Sequence, residues 1–172
     1  AAGPVRFCLQ GELRHGTRPI TALKIGGKHH VMDKLFSGSM DGTLAVFQLT
    51  AEGYDFECVY VFDQHKSAIT GIDMSWSHLY TSSDDGSIRV WCLTTYSIQR
   101  TLHAGARVKC LYVDEAHEDE ETTGKAEGRG QAAAGGGGME DDALKVKEPP
   151  CGYMYCGLTN GYVQKWRIGQ WM

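Results

Sequence analysis

The feature that most constrains this chain is a hairpin that occurs three times. Leu35 to Phe47, Leu79 to Trp91 and Tyr153 to Trp166 each read as strand, tight turn, strand. In the central copy Ile88 and Val90 alternate with Ser87, Arg89 and Trp91, the two-residue period of a pleated strand. Asp41-Gly42, Asp85-Gly86 and Asn160-Gly161 mark the turns, and an aromatic residue lies six positions after each Asp or Asn. Asp-Gly is expected to supply the left-handed conformations of a two-residue hairpin turn.

The segments around the hairpins repeat as well. Strand-like runs at 20–25, 68–74 and 108–113 precede the hairpins, and runs at 56–62 and 97–102 follow two of them. A further strand is expected at 4–13. The turn residues Asp41 and Asp85 are 44 positions apart, whereas Asp85 and Asn160 are 75 apart. The excess of 31 falls between Val113 and Cys151, where Glu118-Asp119-Glu120-Glu121, an Ala-Gly tract and Glu140-Asp141-Asp142 leave almost nothing to bury. That segment, about 114–149, is expected to be a disordered insert. Removing it restores the period and gives units at about 14–62, 63–102 and 103–172. Repeats of 40–45 residues with four short strands are the pattern of β-propeller blades. The expected fold is therefore all-β, a partial propeller of about three four-stranded antiparallel blades.

Within that pattern His15, His65 and His103 precede the units, and the second unit reads Ser82-Ser83-Asp84-Asp85-Gly86-Ser87-Ile88-Arg89-Val90-Trp91. These features resemble WD-repeat propellers, although Cys92 stands where the family usually has Asp. The resemblance implies a buried relay in which a turn Asp, a loop His, a strand hydroxyl and a Trp indole satisfy one another. Carried onto this chain, the relay of the second unit is His65, Thr81, Asp85 and Trp91. The first unit has His15, Ser37 and Asp41, with Phe47 in place of Trp. The third has His103, Asn160 and Trp166, with Cys156 in place of the hydroxyl. The resemblance also implies an exposed rim for partners, at Met40, Asp84 and Thr159 beside the turns and at Arg18, Lys66 and Arg107 before the first strands. Their mixed charge specifies no ligand. The insert is expected on the opposite face.

A His–Asp pair invites a reading as a general base. No nucleophile motif accompanies it, and the pairing recurs at the repeat period, so the reading is structural and no catalytic residue is assigned. Gly135 to Gly138 lack the Lys-Ser/Thr of a phosphate-binding loop, and no cofactor is implied. The six cysteines, at 8, 58, 92, 110, 151 and 156, include no Cys-x-x-Cys pair, so no metal site is expected and reduced, buried thiols are. Reduced thiols point to an intracellular protein, cytoplasmic or nuclear. Residues 114–149 carry eleven acidic and four basic side chains within a chain of net charge −4. The remainder is only mildly basic and lacks the stripe of a nucleic-acid surface. No apolar run reaches the length of a membrane span. The function expected is a non-catalytic protein–protein interaction scaffold. The alternatives are the substrate-recognition part of a ubiquitin ligase and the WD-repeat part of an RNA-associated zinc-finger protein. Because propellers close with 4–8 blades, the partners expected are other proteins together with the remaining blades of the same propeller.

Overall fold

The computed structural model describes residues 11–26, 33–51, 55–75, 77–114 and 152–169. Most of the first expected strand and nearly all of the acidic insert lie outside the described residues. Within them the chain is all-β, in eleven strands: β1 (Ile20–Ile25), β2 (Lys34–Ser39), β3 (Thr43–Leu49), β4 (Phe56–Asp63), β5 (Ile69–Met74), β6 (His78–Ser83), β7 (Ser87–Cys92), β8 (Ile98–His103), β9 (Val108–Asp114), β10 (Gly152–Leu158) and β11 (Val163–Ile168). They form three antiparallel sheets in the orders β1-β2-β3-β4, β5-β6-β7-β8 and β9-β10-β11. These are blades of a partial propeller. No helix among the described residues is long and apolar enough to cross a membrane.

The hairpin turns differ from the expected two-residue form. Gly86 N–H donates to the Ser83 carbonyl at 3.1 Å, and Gly42 and Gly161 repeat that bond to Ser39 and Leu158. Only the glycines are left-handed, with φ of 93°, 81° and 84° at Gly42, Gly86 and Gly161. The loop thus has three residues, an ordinary turn followed by one left-handed position. The physical reason is economical. The Asp side chain caps the turn from a negative φ, and glycine alone carries the conformation that an L side chain resists.

Two apolar seams hold the blades together. Phe36, Leu44 and Val46 of the first sheet pack on Ile69, Ile72, Leu79 and Trp91 of the second. Tyr80 and Ile88 then pack on Val108, Val113, Met154 and Leu158 of the third. Strand alternation explains the two-sided burial: Ile88 faces the second seam while Trp91, three residues on, faces the first.

The first strands add polar stitches. The pairing of β1 skips Thr21 and that of β5 skips Thr70, so each threonine is a bulged residue. The bulge turns the hydroxyl outward: Thr21 Oγ1 donates to Ile69 O at 2.6 Å and Thr70 Oγ1 to Val108 O at 2.7 Å. Asp73 completes the set. Its Oδ1 lies 2.6 Å from Lys24 Nζ of the first sheet, and its Oδ2 accepts Val113 N–H of the third at 2.6 Å. One buried carboxylate therefore ties all three blades. Asp73→Ala is expected to cost about 1–3 kcal/mol by orphaning a buried amide. Lys24→Ala removes a half-exposed cation and should cost less than about 1 kcal/mol. Urea unfolding midpoints of the two variants check the order, and equal midpoints would refute it.

Candidate functional site

The side chains with the densest polar connections lie in the second sheet. Thr81 on β6 stands opposite Arg89 on β7, two residues before Trp91, so hydroxyl and indole meet across the pair. Trp91 Nε1–H donates to Thr81 Oγ1 at 2.9 Å. Thr81 Oγ1 lies 2.8 Å from His65 Nε2, which accepts its proton, leaving Nδ1–H directed at Asp85 Oδ2 at 3.2 Å. Asp85 also accepts Lys66 N–H at 2.9 Å, Ser87 N–H at 2.8 Å and the Ser87 hydroxyl at 2.5 Å. Every donor has an acceptor, and the chain of bonds runs from the sheet to its turn.

The electrostatics agree with a neutral ring beside a charged carboxylate. Burial pushes the His65 pKa below its ordinary 6.5, against the pull of Asp85. Burial pushes Asp85 up, but the Ser87 hydroxyl, the Lys66 and Ser87 amides and His65 outweigh it and hold the acid well below its ordinary 3.8. His65, Thr81 and Ser87 are all buried, and the Ser87 hydroxyl closes the circuit, donating to Asp85 Oδ1 at 2.5 Å and lying 3.2 Å from His65 Nδ1.

The first unit does not close the same circuit. His15 is buried, yet neither ring nitrogen has a hydrogen-bond partner. Its ring sits 6.0 Å from that of Phe47, while Asp41 bonds to the amide and hydroxyl of Thr43. His15 precedes Ile20 by five residues where His65 precedes Ile69 by four. The longer loop and the missing indole leave the histidine out. Ser37 remains a buried polar residue on β2, opposite Ala45.

In the third unit His103 requires correction. It is the exposed last residue of β8, paired with Ser87. The place of His65, four residues before the first strand, belongs to buried Ala104. The physical reason is register: β8 extends one residue further than the sequence suggests and carries His103 out on the sheet. Gln164, opposite Cys156 on β10, fills the gap. Its Nε2 donates to Ala104 O at 3.0 Å, and its Oε1 lies 3.9 Å from Cys156 Sγ. Trp166 Nε1 has no oxygen or nitrogen acceptor, and Asn160 is reduced to accepting Tyr162 N–H at 3.3 Å. Sequence reasoning missed Ser87, Gln164, Asp73 and the two bulged threonines. The Ser87 signal was available, since Asp-Gly-Ser is the spacing of a side-chain-capped turn.

The rim residues lie where hairpin turn meets first strand. Met40, Asp84 and Thr159 donate their amides to Pro19, Ala68 and Arg107 carbonyls at 2.8, 3.0 and 3.0 Å. Each turn is thereby latched to the loop that carries Arg18, Lys66 or Arg107, and these three cations are exposed. Asp84 Oδ1 pairs with Lys109 Nζ at 2.7 Å. Lys109 is the bulged residue of β9, so it reaches back to the second sheet. At the opposite end Cys92 closes the β7–β8 turn. Its N–H donates to Ser97 O at 3.0 Å and its carbonyl accepts Tyr96 N–H at 2.8 Å, while hydrogen bonding from Thr95 and Thr94 brings its thiol down to about 7. Among the described residues no three metal-ligating side chains converge.

Residues 56–92 match the family described as WD domain, G-beta repeat. The matched segment runs from β4 through β7, an outer strand of one blade followed by three strands of the next, and it is this segment that is similar to a WD repeat. Among solved structures the chain resembles the computationally designed Ika8 protein, with a TM-score of 0.54 at 20% identity. The match covers 88% of this chain and 34% of the designed one, so the chain spans about a third of its length. At that identity the likeness concerns the fold alone.

Proposed function

We propose that this chain is a protein-interaction scaffold whose binding surface is the rim formed by Arg18, Met40, Lys66, Asp84, Arg107 and Thr159. The general role follows from the WD repeat at residues 56–92. The rim assignment is supported by one observation above the others. These residues sit on turns and loops whose backbone is latched, and none of their side chains belongs to the His65–Asp85 circuit, to which Lys66 lends only its backbone amide. Rigid position with freedom to vary is what a recognition surface needs.

The partner chemistry follows from charge. Lys109 pairs with Asp84, and each sheet presents one exposed cation on the rim, Arg18, Lys66 or Arg107. A partner offering acidic side chains fits, with salt-sensitive association. The proposed units, 14–62, 63–102 and 103–172, each contribute one cation, and their terminal sheets are left to pair with further blades. Reversing Arg18, Lys66 and Arg107 to Glu is expected to reduce captured partner about tenfold. Thr94→Lys on the opposite end should leave it unchanged. Equal recovery by the triple variant and the wild type, both with native circular dichroism, would overturn the rim assignment.

A further inference from the structure

The junction of the second and third sheets carries a charge arrangement that the junction of the first and second lacks. The turn between β6 and β7 is seated between two loops. On one side Asp84 N–H donates to Ala68 O, in the loop that carries Lys66. On the other, Ala106 O lies 3.2 Å from where a Cβ on Gly86 would be, in the loop that carries Arg107. Lys66 and Arg107 are exposed. A further cation comes from β9. Thr21, Thr70 and Lys109 are the bulged residues of the first strands of the sheets. The two threonines donate forward, across seams where the sheets approach closely at Gly38 and Gly71. Lys109 reaches back instead, and its Nζ lies 2.7 Å from Asp84 Oδ1. At the first junction the corresponding places hold Met40 and Thr70, neither of them charged.

We infer that Asp84 is a built-in competitor for a partner carboxylate: it holds the Lys109 ammonium in the free chain, and an acidic segment of the partner displaces it and is received by Lys66, Arg107 and Lys109 together. The inference rests on the rim reading above, and adds to it one cation and the residue that masks it. The pair is loose enough to exchange. Asp84 Oδ1 is shielded from solvent yet makes no hydrogen bond, so the ammonium holds it by charge alone. The two side chains are 21% and 51% exposed, and pairs this open contribute little to stability. Backbone bonds fix the turn, Asp84 N–H to Ala68 O and Gly86 N–H to Ser83 O, so the Asp84 side chain can rotate away without moving it. A lysine ammonium is a point charge on a flexible stem, and it trades one carboxylate for another without demanding a fixed geometry. The exchange also selects its partner. A lone carboxylate gains at Lys109 only what Asp84 gives up, whereas clustered acids that also reach Lys66 and Arg107 gain more.

The test is fluorescence anisotropy of a labelled oligoglutamate peptide with the whole chain at low salt, where charge contacts are least screened. Asp84→Asn and Asp84→Ala are each expected to bind about fivefold tighter than the wild type, and Lys109→Gln to bind more weakly. All should keep native circular dichroism, because backbone bonds hold the turn. The double variant Asp84→Ala/Lys109→Gln should bind no tighter than Lys109→Gln alone, since the competitor has nothing left to mask. If Asp84→Ala strengthens binding equally in both backgrounds, the gain is one of net charge and the inference is overturned. It is overturned as well if the wild type and both Asp84 variants bind the peptide alike. Peptide bound by none of these proteins overturns the acidic-partner reading together with this inference, so the two failures are told apart.

Discussion

Replacing Trp91 by alanine is expected to produce the largest loss of stability of any single substitution in this chain, about 3–5 kcal/mol. The indole is 2% exposed and lies in the seam between the first two sheets. Its ring is 5.5 Å from that of Phe62, which in turn stands 6.1 Å from Tyr96. Removing it empties the seam and leaves Thr81 Oγ1 without its donor. Two losses therefore coincide, one of volume and one of hydrogen bonding. Trp91→Phe separates them, since it keeps most of the volume and deletes only the N–H, at about 1 kcal/mol. Urea unfolding followed by far-ultraviolet circular dichroism reads both. If the alanine variant unfolds at the same midpoint as the phenylalanine variant, the seam is not held by packing of this residue. Phe47, at the same place in the first sheet, already shows that the position tolerates the loss of the indole when an aromatic ring remains.

Asp85→Ala is expected to cost about 1–3 kcal/mol, because Lys66 N–H, Ser87 N–H and the His65 ring lose a shared acceptor. Asn in the same place keeps one acceptor oxygen and should recover part of the loss. The same carboxylate makes a pH prediction. Its folded-state pKa is depressed, so its contribution is fully present above its ordinary 3.8 and fades as pH falls below that value. His65 acts at higher pH in the same direction. Its folded-state pKa is also depressed, so below 6.5 the unfolded chain binds the proton more readily and unfolding is favoured. Thermal melts of the wild type should fall in two stages as pH drops, first below 6.5 and again below 3.8. Asp85→Ala should weaken the second stage and His65→Gln the first, with Asp41, His15 and His78, whose pKa values are lowered in the same direction, carrying the remainder. A variant that keeps the full acid profile would refute the assignment of that stage.

Much of the fold was legible because a repeat supplies its own control. The spacing of Asp41, Asp85 and Asn160 placed three hairpins, and the flanking alternation placed the strands beside them. The relay of the second unit was legible because all four of its residue types are present. The other two units were not, because each depends on a fact that a pattern does not carry. His15 fails on loop length, one residue too many before β1. His103 fails on where β8 ends, and Ala104 inherits its place by a single residue. Gln164 could not be singled out, since an exposed-looking glutamine on a strand acquires meaning only when Ala104 leaves a vacancy across from it.

The sequence by itself determined the all-β class, the hairpins and the identity of one complete hydrogen-bonded circuit, because those rest on local spacing and on residue chemistry. Only the tertiary structure decided how the sheets are joined. Asp73 reads in sequence as one acid in a strand, and Thr21 and Thr70 as ordinary strand residues. Their roles come from bulges and from the approach of a neighbouring sheet at Gly38 and Gly71, distances set by packing between segments tens of residues apart.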